Sequence, residues 1–193
     1  PPLPFDLGTL QQAASRRWGY SADKVLEIAQ SLYEKHKATT YPRTDCGYLP
    51  VSMRADIPVV LDALSQSDPA LQNVLAQLQP ARISRVWNDA KITAHHAIIP
   101  TRQTPDLNAM NEAELNVYKL IRAHYLAQFL PDQEWDATEV FLDIGGQQFV
   151  AKGKVERVKG WSVLFVKHED DPPVKEEAET GLEARNIAVP SRR

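Results

Sequence analysis

The chain has 193 residues, enough for one or two domains and for a buried core. Its 43% hydrophobic and 24% charged residues exclude a disordered polymer, and a single cysteine, Cys46, excludes a disulfide framework or a CxxC zinc site. The net charge of −3 taken alone argues against a nucleic-acid partner, and no apolar run reaches the roughly 20 residues of a membrane span. Pro1-Pro2-Leu3-Pro4-Phe5 is too proline-rich for a helix and reads as an extended entry. Thr9 is the expected N-cap of a short helix to about Arg17. Ser21 precedes a stronger one, where Val25, Leu26, Ile28, Ala29, Leu32 and Tyr33 recur at helical spacing until near His36. Thr39-Thr40-Tyr41-Pro42 follows, and β-branched residues before a proline favour extended backbone. Helical patterns resume at residues 56–64, with Pro58 in the first turn, and at 69–78, while 80–105 is irregular. The clearest helix runs from Glu112 to Phe129, with Tyr118, Ile121, Tyr125 and Phe129 on one stripe.

Beyond Pro131 the period changes to 2. Val140, Leu142 and Ile144 alternate with Glu139, Phe141 and Asp143, Gly145-Gly146 signals a hairpin turn, and Phe149, Ala151, Gly153 and Val155 continue on the partner strand. Gly160 precedes a third expected strand, Trp161 to Val166, and the charged, proline-containing run from Glu169 to Glu179 reads as a linker. The expected fold is mainly α with a small antiparallel β element. Three uncovered strands are only marginally stable, so this β piece is expected to join a larger sheet supplied elsewhere.

The charge is uneven. Arg82, Arg85, Lys91 and Arg102 stand against Asp89 in residues 82–102, and Lys152, Lys154, Arg157 and Lys159 against Glu156 in 152–159. Such stretches are either solvated faces or walls of a phosphate-binding groove. Tyr41-Pro42-Arg43-Thr44-Asp45 is the densest cluster of reactive types. A tyrosine oxygen is a weak nucleophile at neutral pH, and a cation two residues on in an extended segment stabilises either phenolate or an attacked phosphate. The same residues also suit a plain loop. Ala94-His95-His96-Ala97-Ile98-Ile99-Pro100-Thr101 is the second cluster, where one imidazole either packs in a loop or serves a phosphate or a proton. Asp132, Glu134 and Asp136 share one face of an extended segment, but Ala137 stands where a calcium loop wants glycine, so no metal site is expected. No GxxxxGK[ST] or GxGxxG occurs, so no nucleotide is expected either.

Three segments in order, Pro1–Phe5 with Thr9-Leu10-Gln11-Gln12-Ala13-Ala14-Ser15, Thr40-Tyr41-Pro42-Arg43-Thr44-Asp45, and Ala94–Thr101, resemble the central region of the type IA DNA topoisomerases. Tyr-Pro-Arg-Thr-Asp-Cys-Gly-Tyr-Leu-Pro and the double histidine look closer to the bacterial topoisomerase III branch than to topoisomerase I. The resemblance covers roughly residues 1–166 and implies a fragment. Residues 1–130 would be the helical, winged-helix-like domain that carries the tyrosine, 131–166 part of a β-rich arch, and 167–193 an acidic linker and unmatched tail. It implies ATP-independent cleavage and rejoining of single-stranded DNA through a 5′-phosphotyrosyl intermediate. Tyr41 would be the nucleophile, Arg43 would position the scissile phosphate, and His95 would assist the phosphate chemistry. His96 stands where related enzymes often have glutamate. Arg43, Lys91, His95, His96 and Thr101 are the expected DNA contacts. Magnesium would belong to a Toprim domain absent from this chain, so none is expected here, and the fragment alone is expected to be inactive. The expected partners are single-stranded DNA and the remaining Toprim and arch domains, with no membrane, and the expected location is the cytoplasm at the bacterial nucleoid. The alternative is a single-stranded DNA-binding module that does not cleave.

Overall fold

Asp6, rather than Thr9, starts the first helix, α1 (Leu7–Trp18), in the computed structural model, which describes residues 1–92 and 94–165. The Asp6 carboxylate accepts from the Thr9 backbone N–H at 2.7 Å, and the Thr9 hydroxyl accepts from the Asp6 N–H at 3.2 Å. This capping box places Thr9 in the first turn. Of two possible caps, the carboxylate is the better match to the positive end of a helix. Gly19 ends α1 at φ +67°, a left-handed conformation that any side chain would strain. Ser21 caps α2 (Ala22–Glu34), as expected, and Val25, Ile28, Ala29 and Leu32 bury its inner stripe against α1 and the last long helix.

A 3-10 turn at Val51–Asp56 leads into α3 (Ile57–Ser67), with Pro58 in its first turn. The helix expected at 69–78 is shorter: a 3-10 turn, Pro69–Leu71, followed by the single turn of α4 (Gln72–Leu75). The chain leaves it as the Gln79 N–H turns to the Phe129 carbonyl at 2.7 Å. α5 (Glu112–Leu126) opens on a second capping box, Asn111 with Glu114, and tightens into a 3-10 turn at Ala127–Phe129. Tyr118, Ile121, Tyr125 and Phe129 are all buried, as the stripe predicts.

Two buried polar groups tie the long helices to the rest. The Glu114 carboxylate accepts from the Ser31 hydroxyl at 2.6 Å and lies 3.3 Å from His36 Nε2, joining the end of α2 to the start of α5. Burial pushes its pKa up, but hydrogen bonds from Ser31 and Asn111, with His36 beside it, more than offset that and hold it below the usual carboxylate value. Gln128 is fully buried; its amide donates to the Pro2 and His124 carbonyls and accepts from the Ser84 hydroxyl. The proline-rich entry is thereby fastened along α5, and His124 Nδ1 donates to the Leu3 carbonyl at 2.8 Å.

The described residues form two units, 1–132 with 160–165, and 133–159. The second is a two-stranded antiparallel ribbon, β1 (Glu134–Ile144) and β2 (Gln147–Val158), paired Val140 to Ala151 and Ile144 to Gln147. Gly145 and Gly146 turn it with φ +62° and +78°, the two positive angles that a tight hairpin demands. Every residue of β1 is exposed, including Trp135, Phe141 and Ile144. The third strand expected at Trp161–Val166 does not form: Gly160–Phe165 is a 3-10 helix, and Val166, like the linker and tail, lies outside the described residues. A Cβ on Gly160 would sit 2.3 Å from the Asp132 carbonyl oxygen, and the Trp161 N–H donates to the Pro131 carbonyl at 2.9 Å. The backbone therefore doubles back, and Trp161, Leu164 and Phe165, spaced by three and four, serve a helical turn as well as a strand. Asp132 pairs with Arg82 and Asp136 with Arg157.

His124 predicts the acid stability of this fold. Burial between Phe5 and Phe165 lowers its pKa to about 4. Unfolded, an imidazole takes its proton near 6.5, so between those values proton uptake favours the unfolded chain. Stability is full above about pH 6.5 and falls by up to about 3 kcal/mol as pH drops to about 4. Denaturant titrations across that window should show the slope in wild type and its loss in His124→Gln; equal slopes would contradict the assignment.

Candidate active site around Tyr41

Residues 41–46 alternate strictly in burial. Tyr41, Arg43 and Asp45 are exposed, whereas Pro42, Thr44 and Cys46 are buried. An extended segment has period 2, so the three polar side chains share one outward face. The inward set holds the segment in place. Thr44 accepts the Leu7 N–H on its carbonyl at 2.9 Å and the Cys46 N–H on its hydroxyl at 3.1 Å. The buried Cys46 thiol donates toward the Lys91 carbonyl at 3.4 Å, which makes it a structural group.

Just before Tyr41, the chain pairs antiparallel with the histidine segment, Thr39 opposite Pro100. The Thr40 N–H donates to the Ile99 carbonyl at 2.9 Å and the Thr101 N–H to the Ala38 carbonyl at 3.1 Å. The Thr40 hydroxyl adds a second clamp, donating to the Ala97 carbonyl and accepting from the Ile99 N–H, both at 3.0 Å. The histidine segment is itself braced on its other side, where the Ile98 N–H reaches the Phe5 carbonyl at 2.8 Å and the Ala97 N–H the Tyr48 carbonyl at 2.9 Å.

This pairing carries His95 to Tyr41. Their ring centroids are 4.8 Å apart with the planes tilted by 43°. From the other side Tyr33 of α2 meets Tyr41 edge-on at 5.7 Å. Tyr41 nevertheless keeps 38% of its surface open to solvent. The Arg43 guanidinium donates from Nη2 to Gln30 Oε1 at 3.3 Å, and among the described residues it has no ion-pair partner. An exposed phenol, an uncompensated guanidinium on the same face and an imidazole in ring contact can accept a phosphate diester and stabilise charge on it.

The other sequence candidates have different surroundings. His96 Nδ1 donates to the Ala97 carbonyl at 2.9 Å, which leaves Nε2 as the nitrogen free for a ligand. Lys91 is exposed, with its carbonyl engaged by Cys46. The Thr101 hydroxyl donates to the Lys37 carbonyl at 2.6 Å. Thr101 lines, with Thr40, Met53, Val60 and Tyr125, a cavity of about 250 Å³. Among the described residues no three His, Cys, Asp or Glu side chains gather where they could hold a metal ion. Gln30 and Tyr33 escaped the sequence reading, because only the register of a distant extended segment brings α2 beside Tyr41 and Arg43.

The chain matches the sequence profile of the DNA topoisomerase family over residues 1–189. It belongs to the DNA topoisomerase family. The DNA topoisomerase 3 of Pasteurella multocida is 42% identical over 170 residues, which cover 88% of this chain and 26% of that protein. The DNA topoisomerase 3 of Salmonella typhimurium is 44% identical over 172 residues, covering 88% and 26%. That of Bacillus subtilis is 36% identical over 188 residues, covering 95% and 25%. This topoisomerase chain therefore spans about a quarter of the length of these relatives. The full-length topoisomerase I of Thermotoga maritima shares the fold with a TM-score of 0.58 at 22% identity, over 92% of this chain and 29% of that one.

Thr40 tests the architecture of the site in this topoisomerase chain. Thr40→Val keeps the shape but leaves the Ile99 N–H without its acceptor and takes from the Ala97 carbonyl one of its two donors, the other being His96 Nδ1. Stability should fall by about 1–3 kcal/mol, the cost of stranding part-buried polar groups. An unchanged denaturation midpoint would show that the clamp is dispensable.

Proposed function

We propose that this chain is the nucleophile-bearing part of a bacterial type IA topoisomerase of the topoisomerase III kind, which cleaves and rejoins single-stranded DNA without ATP. One observation carries the reading: the exposed Tyr41 ring stands against His95 and shares its outward face with Arg43. The kinship with bacterial topoisomerase 3 proteins supports it. In the proposed step the Tyr41 phenol oxygen attacks phosphorus, the phosphotyrosyl bond forms on the 5′ side of the break, and the bond to the 3′ oxygen is lost. The departing oxygen takes a proton, and the reverse attack by that 3′ hydroxyl reseals the strand and frees the phenol. One phosphodiester is exchanged for another, so no nucleotide hydrolysis is required.

Each residue has a stated task. The Arg43 fork grips two phosphate oxygens and offsets the negative charge that gathers on phosphorus. His95 stabilises the same charge through a ring N–H or passes a proton. Lys91 and the His96 Nε2 nitrogen contact the flanking backbone. The helical unit is proposed as a winged-helix-like domain that works against a Toprim domain, and the ribbon as part of a β-rich arch. Its exposed apolar residues support the latter. Among the described residues no helix is long and apolar enough to cross a membrane.

In the full natural polypeptide that carries this sequence, Tyr41→Phe should bind single-stranded DNA, melt as wild type does and form no covalent adduct. An adduct in that variant would mean that another residue attacks, and DNA binding with no adduct even in wild type would favour a module that does not cleave. His95→Ala should slow cleavage, and so should His95→Gln, which keeps a hydrogen-bond donor but cannot pass a proton. A His95→Gln rate equal to that of wild type would count against a proton role.

A further inference from the structure

We infer that Gln30 and Glu34 of α2 position Arg43, holding its guanidinium with a neutral acceptor so that its charge stays available to the phosphate. The inference rests on the function proposed for Arg43 above, and it concerns residues that lie outside the three sequence motifs. Positions 30, 33 and 34 are neighbours on one face of α2. The opposite stripe of that helix, Val25, Ile28, Ala29 and Leu32, is buried in the core, so the face that meets the Tyr41 segment rests on a rigid element. Two contacts reach that segment from it: Tyr33 edge-on to Tyr41 at 5.7 Å, and Gln30 Oε1 to Arg43 Nη2 at 3.3 Å.

A glutamine amide can present either its oxygen or its nitrogen, and Glu34 decides which. Its carboxylate only accepts, and it takes a hydrogen bond from Gln30 Nε2 at 2.8 Å. The amide oxygen is thereby turned to Arg43. A guanidinium has five N–H donors in a planar fork, so one bond to Gln30 fixes its direction and leaves donors for phosphate. The choice of acceptor matters as much as its position. A carboxylate at residue 30 would pair with Arg43 and compete with the DNA phosphate. The neutral amide does not, and the helix charge sits one turn away on Glu34, where it orients Gln30.

The test is single-turnover adduct formation by the full natural polypeptide, with a divalent metal in the buffer and a single-stranded oligonucleotide titrated to saturation. Gln30→Met keeps the length and removes the acceptor. The cleavage rate at saturation should fall about fivefold, the size expected of one hydrogen bond, while the DNA affinity and the melting temperature stay within error. Gln30→Glu should fall further, because it adds a competitor for Arg43. Glu34→Ala should reproduce part of the loss seen in Gln30→Met, and the double variant should be no slower than Gln30→Met alone, since Glu34 acts through Gln30. Additive losses, or rates equal to wild type in Gln30→Met or Gln30→Glu while Tyr41→Phe is dead, would overturn the inference and leave the proposed function standing. Adduct formation by Tyr41→Phe, or none by wild type, would overturn that function and the inference with it.

Discussion

The site depends on one short stretch of antiparallel pairing, in which residues 38–40 lie against residues 97–101. Both partners are irregular by the usual measures, since neither belongs to a long strand. Their register is nevertheless closely specified: two backbone hydrogen bonds and the doubly engaged Thr40 hydroxyl all agree on it. A slip of one residue would turn Tyr41 inward and the buried Pro42 outward. With the register held, the period of an extended chain puts Tyr41, Arg43 and Asp45 on the same side, and His95, two residues before Ala97, meets the phenol ring.

Everything beneath that pairing serves to keep it flat and anchored. The proline-rich entry has few hydrogen-bond donors of its own. It is held by its carbonyls, with Pro2 on Gln128, Leu3 on His124 and Phe5 on Ile98. It then forms the brace behind the histidine segment. α5 and the 3-10 turn that follows it supply one donor each, His124 and Gln128, and the first turn of α5 is locked to α2 through Glu114. Helix α2 in turn walls the outward face of that segment through Tyr33 and Gln30. Tyr41 is therefore exposed on a segment whose alternate residues are buried, which combines solvent access with little freedom to move.

Local chemistry made much of this legible in the sequence. The buried stripe of α5, the Ser21 cap and the Gly145-Gly146 turn each rest on residues close together in the chain, where periodicity and capping rules act directly. The three motifs pointed to the family by their order and spacing. Most of what escaped the reading depends on contacts between residues far apart in the chain, and one miss was local. Thr9 and Asp6 were both able to cap, and the competition was settled by charge at the helix end. Trp161, Leu164 and Phe165 fit a strand over six residues, and only the reversal at Gly160 against Pro131 and Asp132 makes them a helical turn. Gln30, Glu34 and Gln128 look like ordinary polar positions on helices. Their roles appear once the carbonyls of Pro1–Phe5 and the guanidinium of Arg43 are brought to them from elsewhere in the chain.

The central claim is that Tyr41 forms the bond to DNA, and the most direct measurement is mass spectrometry of the trapped adduct. Trypsin cuts after Lys37 and Arg43, which releases residues 38–43 as one peptide, Ala-Thr-Thr-Tyr-Pro-Arg. Thr39 is buried and the Thr40 hydroxyl is held between Ala97 and Ile99, so within that peptide only the Tyr41 oxygen is exposed to a phosphate. A nucleotide mass is expected on this peptide, with fragmentation placing it on Tyr41. A nucleotide on any other peptide, or on Thr39 or Thr40, would contradict it.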